Sequence, residues 1–271
     1  MATTETPAQG GERLDEGLSL VVPGKGLPAG QGWDWIVQGW RIFARSPLMW
    51  IISLVILFVI AIVLAIVPFI GSLAFQALQA VFAGGFMLAC RNIEQGGEFE
   101  LEHLFAGFSK RFVPLLIVGL VFMAAGLALV LLFFLVAGVS LLPAFLSGDS
   151  DALGAALMGS AMLMMAGGLV MLALMVPIMA AYWFAPALVM MHDMPPIEAM
   201  KASFFACFRN FVPFLIYGLV MGFALFIAIL PFGLGLLVWV PVAISSTYAA
   251  YRQIFTEDAA AAPPPRPAMV D

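Results

Sequence analysis

The chain has 271 residues, of which 63% are hydrophobic and 10% charged, against roughly 25% charged in a soluble domain. With a mean hydropathy of +1.08, such a chain does not dissolve and belongs in a membrane. Its net charge of −5 reflects acids in the tails (Glu5, Glu12, Asp15, Glu16, Glu257, Asp258, Asp271); no basic patch with interleaved aromatics points to nucleic acid, and Cys90 and Cys207 are too few and too far apart for a disulfide framework.

Residues 1–32 are acidic and rich in Gly and Pro, and read as a disordered tail. They lack the basic start and apolar core of a secretory signal, so the first membrane helix is expected to direct insertion. Residues 33–45 then place Trp33, Ile36, Trp40 and Phe43 on one helical face and Asp34, Gln38, Arg41 and Arg45 on the other. That pattern predicts a helix lying in the membrane interface. Pro47 breaks it and opens the next helix.

Residues 48–67 form the first predicted span, about 20 residues for a hydrocarbon core of about 30 Å. After a turn at Pro68 the second runs over 69–90, with Ser72, Gln76, Gln79 and Ala83 on one face that should avoid lipid. A second amphipathic piece, 101–111, leads through Pro114 into a third span ending near 142. The fourth occupies 159–189 and holds Pro177 and Pro186, which predict a kink or interruption. A short re-entrant or interfacial piece over 152–158 would absorb the excess length. The third amphipathic piece presents Ile197, Met200, Phe204, Phe208 and Phe211, and Pro213 leads into the fifth span. The sixth runs over 233–251, and residues 256–271 read as a disordered Ala/Pro-rich tail.

The whole rests on an internal repeat. Residues 112–121 (FVPLLIVGLV) and 211–220 (FVPFLIYGLV) agree at eight of ten positions, and a looser copy begins at Ser46. The exits match too: Ala65–Phe69 (AIVPF) against Ala228–Phe232 (AILPF). The expected fold is all-α and polytopic, with six spans in three hairpin units (33–91, 98–192, 195–255), each preceded by an interfacial helix. All eleven Lys and Arg residues fall on the side of the termini and the opposite turns carry none. By the positive-inside rule the termini are cytoplasmic, and if the chain is bacterial the membrane is the inner one.

The spans contain no Asp, Glu, Lys, Arg or His, which argues against proton-coupled transport. No catalytic motif is present, so no enzyme activity and no cofactor is expected. Cys90, His103, His192 and Cys207 lack the spacing of a zinc site, so no metal is expected. The methionines of the fourth span read as adaptable packing. Two polar stripes enter the membrane: Ser72, Gln76 and Gln79 in span two, and Ser245 and Tyr248 in span six. They line a polar groove or fix helix packing. Tyr182, Trp183 and Pro186 are placed to line a cavity. A basic pair ends each amphipathic piece: Arg41 and Arg45, Lys110 and Arg111, Lys201 and Arg209. The pairs either set topology or form a collar that holds anionic lipid headgroups.

Gly39-Trp40-Arg41-Ile42-Phe43 with Pro47 and Trp50, and Ala202-Ser203-Phe204 with Asn210-Phe211-Val212-Pro213-Phe214, resemble a family of uncharacterised six-helix inner-membrane proteins of proteobacteria. The likeness covers about residues 30–255. More distantly the chain is similar to the membrane domain of glycerophosphodiester phosphodiesterases and to Yip-type membrane proteins. These resemblances imply architecture and transfer no catalytic residue. The reading is therefore a non-enzymatic protein that binds membrane lipids, a membrane-protein partner or a second copy of itself. The alternative is a channel or transporter for a small neutral or amphiphilic molecule along Gln76, Gln79, Ser245 and Tyr248.

Overall fold

The structure, a computed structural model, describes residues 18–147 and 150–258. It is an all-α polytopic membrane protein. Its helices are α1 (Gln31–Arg45), α2 (Pro47–Ala65), α3 (Ile70–Glu94), α4 (Leu101–Lys110), α5 (Phe112–Ser147), α6 (Ser150–Trp183), α7 (Ala185–His192), α8 (Pro196–Arg209), α9 (Phe211–Ile229) and α10 (Leu236–Phe255). Among the described residues, five helical stretches are long and apolar enough to cross a membrane: Pro47–Ala65, Ile70–Glu94, Phe112–Leu135, Met164–His192 and Phe211–Ile229. The expected sixth, α10, forms as a helix of 20 residues but is not among them, because Ser245 to Tyr248, Arg252 and Gln253 dilute its apolar surface.

A short helix, one non-helical residue and a long helix follow one another three times. The hinge residues have similar backbones: Ser46 (φ −144°, ψ 53°), Arg111 (φ −143°, ψ 39°) and Asn210 (φ −107°, ψ 31°). In the second and third cases the hinge precedes the proline by three residues, so Pro114 and Pro213 sit inside the first turn of the long helix rather than at its break. The matching exits also share a geometry. Phe69 and Phe232 both have positive φ, 62° and 54°, and both rings are exposed. A left-handed backbone at a bulky residue is uncommon, and it reverses the chain tightly at both places.

The short helices dock on the bundle by close backbone approach. On α1 the buried face is Gly32, Trp35, Gly39, Ile42 and Phe43, packed on α9 and α10. Trp33 and Trp40, read from the sequence as interfacial, are exposed; Phe43 of the same predicted face is buried, and Trp35, which that reading put on neither face, is wholly buried, its Nε1 donating to Gln253 Oε1 at 2.9 Å. A Cβ on Gly39 would stand 2.3 Å from Ser246 Oγ, and one on Gly32 2.2 Å from the Pro213 carbonyl oxygen. The α3–α4 contact is alike: a Cβ on Gly107 would meet the Val81 carbonyl at 2.1 Å, and one on Gly85 the His103 carbonyl at 2.5 Å.

Three further expectations are corrected. Residues 152–158 belong to the continuous helix α6 and form no separate piece. The third span, expected to end near 142, continues as helix α5 to Ser147. The tails are partly ordered: β1 (Leu18–Leu20) pairs antiparallel with β2 (Thr256–Asp258), Leu20 opposite Thr256. Residues 24–27 then cross the α8–α9 hinge, where Asn210 Oδ1 accepts from Leu27 N at 2.8 Å and Asn210 Nδ2 donates to Lys25 O at 2.9 Å. Residues 1–17 and 259–271, the rest of both expected tails, lie outside the described residues.

The close approach at Gly39 is testable. Gly39→Ala is expected to destabilise the protein by about 1–3 kcal/mol, as overpacking does, seen as a lower melting temperature in detergent. Gly222→Ala, whose added Cβ would meet nothing within 4 Å, is expected to leave it unchanged or raise it.

Candidate functional site

The fourth span is interrupted where the sequence suggested, and by a device the sequence did not reveal. In a regular helix Phe184 N–H would bond the Ala180 carbonyl. Here Ser203 of α8 stands between them: Phe184 N donates to Ser203 Oγ at 2.9 Å, and Ser203 Oγ donates to Ala180 O at 2.6 Å. An inserted hydroxyl of this kind is a recognised cause of a helix break. Pro186, with no N–H, then opens α7 at its second residue.

Apolar cavities flank this break on two sides. One, of about 430 Å³, lies among α2, α3, α6, α7 and α10, and its wall includes Gln79, Tyr182, Trp183, Pro186 and Thr247. The other, of about 480 Å³, lies among α6, α8 and α9 beside Cys207, Phe211 and Phe214. Met179 and Trp183 line both and form their common wall. Burial pushes the Cys207 thiol up to about 12, against a weaker opposing hydrogen bond from Ser203.

The predicted polar stripe is only partly there. Gln79 faces the first cavity, whereas Gln76 is not among its lining residues, and Ser72 is exposed near the start of α3. Ser245 is wholly buried and donates to Pro241 O at 2.8 Å, while Ser246 and Thr247 turn back onto Val242 O and Ala243 O at 2.5 and 3.0 Å. These hydroxyls satisfy themselves on their own helix. Tyr248, 2% exposed, donates to Glu94 Oε2 at 2.7 Å. Arg252 Nε stands 3.0 Å from the same oxygen, at an angle that makes no hydrogen bond. The pair is therefore Coulombic and the tyrosine supplies the directional bond. Tyr248 thus ties α10 to α3, while Ser245 is satisfied within α10. Glu94, which holds that tie, was passed over in the sequence because it stands just beyond the apolar run.

The basic pairs divide. Arg45 Nη1 donates to Ile93 O at 2.6 Å, Arg209 Nη1 donates to Gly24 O at 2.9 Å, and Arg111 Nη1 pairs with Asp193 at 3.0 Å. One cation of each pair is thus spent on the fold. Arg41, Lys110 and Lys201 are exposed.

Against this geometry stand the comparisons with known proteins. The chain is 31% identical over 252 residues to a "probable inner membrane protein" of Burkholderia thailandensis, covering 84% of this chain and 92% of the relative. The chain belongs to the family of that protein, and is a multi-pass inner membrane protein. No family model matches it, so the likeness to phosphodiesterase membrane domains and Yip-type proteins gains no support. No solved structure matches it either.

The division among cations predicts distinct mutants. Arg45→Gln and Arg209→Gln are each expected to lower stability in detergent by about 1–2 kcal/mol, through loss of a charged hydrogen bond to a backbone carbonyl. Arg111→Gln, an exposed pair, is expected to cost about 0.2–1 kcal/mol. Arg41→Gln, Lys110→Gln and Lys201→Gln are expected to leave the thermal melt unchanged.

Proposed function

We propose that this chain is a non-enzymatic inner-membrane protein that holds a lipid or similar amphiphile at the α6–α7 break. The observation that carries the reading is the pair of apolar cavities sharing Met179 and Trp183. Sites for small molecules are concave, mostly apolar and edged by a few polar groups, and here Gln79, Tyr182 and Thr247 are those groups. In a bilayer, openings of this chemistry fill with acyl chains. The groups beside them suit binding better than chemistry: the Cys207 thiol, with its raised pKa, is protonated at neutral pH and no nucleophile.

The arrangement in the membrane belongs to the same proposal. α10 is the sixth crossing, its polar residues sheltered by contacts with α1, α2, α3 and α9. The short helices α1, α4 and α8 lie along the interface, the six spans form three hairpin repeats, and both termini are cytoplasmic. The distribution of all eleven cations supports that orientation.

Transport of an amphiphile is the second reading, favoured by one observation: two cavities adjoin at a broken helix and share Met179 and Trp183 as lining. Against it, Ser245 is buried and bonded within α10, and Tyr248 is bonded to Glu94.

Native mass spectrometry of protein extracted with its lipids tests the proposal. The wild type is expected to retain one or two lipids through mild activation. Ala83→Phe, which fills the first cavity from α3, is expected to remove at least one of them while the melting temperature holds. Equal retention by wild type and Ala83→Phe would contradict the site.

A further inference from the structure

A third cavity differs in kind from the other two. It occupies about 340 Å³ between the last turns of α3 and helix α4, and its wall includes Arg91, Asn92, Gln95, Glu102, Ser109 and Lys110. That volume sits at the lower end of the range for small-molecule sites. Among the described residues, Arg91, Lys110 and Glu102 are in no ion pair or hydrogen bond of their side chains. Charges held close in a polar cavity without partners are available to a ligand.

The walls are fixed in advance. Phe99, 1% exposed, packs edge-on against Trp50 at 4.9 Å and pins the loop between α3 and α4. Asn92 Nδ2 donates to Glu98 O at 2.6 Å across that loop. A Cβ at Gly97 would stand 2.6 Å from Asn92 Oδ1, so the loop closes this tightly only on glycine. At the start of α4, His103 Nδ1 stands 3.0 Å from Glu100 N and 3.1 Å from Glu100 O, which fixes the ring in a capping box. Preorganisation of this kind lowers the ordering cost of binding.

The charge of the cavity narrows the ligand. Two cations, Arg91 and Lys110, face two carboxylates, Glu100 and Glu102, so the wall is neutral overall. A purely anionic headgroup would satisfy the cations and oppose the acids. A phosphate ester that also carries a primary amine satisfies both: its phosphate accepts from Arg91 and Lys110, and its ammonium donates to Glu102. The exposed Leu101, Phe105 and Phe112 continue an apolar surface along the same short helix and its hinge, which suits a ligand with acyl chains. We infer that the α3–α4 cavity is a headgroup site for a zwitterionic, phosphatidylethanolamine-type phospholipid. The inference rests on the proposed lipid-binding function and corrects the simple anionic collar, since three of the six collar cations are engaged in the fold.

The test uses full-length protein in nanodiscs of phosphatidylcholine doped equally with phosphatidylethanolamine and phosphatidylglycerol, ejected into a native mass spectrometer. The wild type is expected to retain phosphatidylethanolamine several-fold over either competitor. Arg91→Gln and Lys110→Gln are each expected to weaken that retention about fivefold. Glu102→Gln is expected to bring the ethanolamine-to-glycerol ratio close to one with total lipid unchanged, and Lys110→Arg to keep the preference. Unchanged ratios in Glu102→Gln and in the Arg91→Gln/Lys110→Gln double variant would overturn the inference. So would wild-type protein that retains lipid without headgroup preference, a result that leaves the cavities at the helix break standing. Retention of no lipid at all would overturn both. Soluble glycerophosphoethanolamine is expected to compete only weakly; competition as strong as that of the lipid would assign the site to a free phosphate ester and remove the lipid from the account.

Discussion

Three short helices touch the bundle through their backbones, and the contact exists only where side chains are small or missing. Gly32 and Gly39 let α1 lie against α9 and α10, Gly85 and Gly107 do the same for α3 and α4, and Ser203 lets α8 reach into α6. Lipid tails are as apolar as leucine, so helices in a bilayer gain little by burying apolar surface against each other. Close packing and interhelical hydrogen bonds hold them instead. This constraint explains the small residues set among the larger ones on the buried faces of the short helices, Gly32 and Gly39 beside Trp35 on α1, Ala106 and Gly107 on α4, Ala199 and Ala202 on α8. It also explains the break between α6 and α7. The hydroxyl that comes between Phe184 and Ala180 arrives on a helix whose buried Ala199, Ala202 and Ala206 let it come near. The cavities at the break follow from that docking, and so does Trp183 as their shared wall.

The rim made by these helices is a closed and folded layer. The segment before α1 pairs with the segment after α10 and crosses the α8–α9 hinge on the way. Lys25 Nζ donates to Thr256 O at 2.8 Å and Arg209 reaches Gly24 O, so the chain's described ends are held to the third unit. Arg45 ties the first hinge to the end of α3, and Arg111 ties the second to Asp193 after α7. Each hinge is thereby fixed to a different part of the chain. A rim built this way can hold a preformed polar cavity between α3 and α4, which independent surface helices would not do.

Much of this was legible in the sequence where the signal is local. Proline before an apolar run marks the hinges to within a few residues, the repeated exits at Pro68 and Pro231 mark two turns of similar geometry, and Pro186 marks the interruption. What escaped is long-range. Residues 18–30 are rich in Gly and Pro and bury little of their own, so composition reads them as tail; their partners, Asn210 and Thr256, lie more than 180 residues away. Trp35 and Trp33 are two positions apart, and periodicity placed Trp33 at the interface but gave no sign that Trp35 is buried, because the decisive neighbours, Gly32 and Gly39, carry no hydrophobic signal. Ser245 and Tyr248 look like the lining of a path until Ser245 is seen to bond within its own helix and Glu94, on another helix, to accept the tyrosine's hydrogen bond. The basic pairs look equivalent until each last arginine finds a carbonyl or a carboxylate.

The central claim is that the rim is one folded layer closed by the pairing of the two chain ends. Ser19 and Glu257 are directly opposed in that pairing. A Ser19→Cys/Glu257→Cys variant, with Cys90 and Cys207 replaced by alanine, should form an intramolecular disulfide under mild oxidation in native membranes, shifting the monomer on a non-reducing gel. Free thiols at both positions after oxidation, each labelled readily by maleimide, would contradict the closed rim.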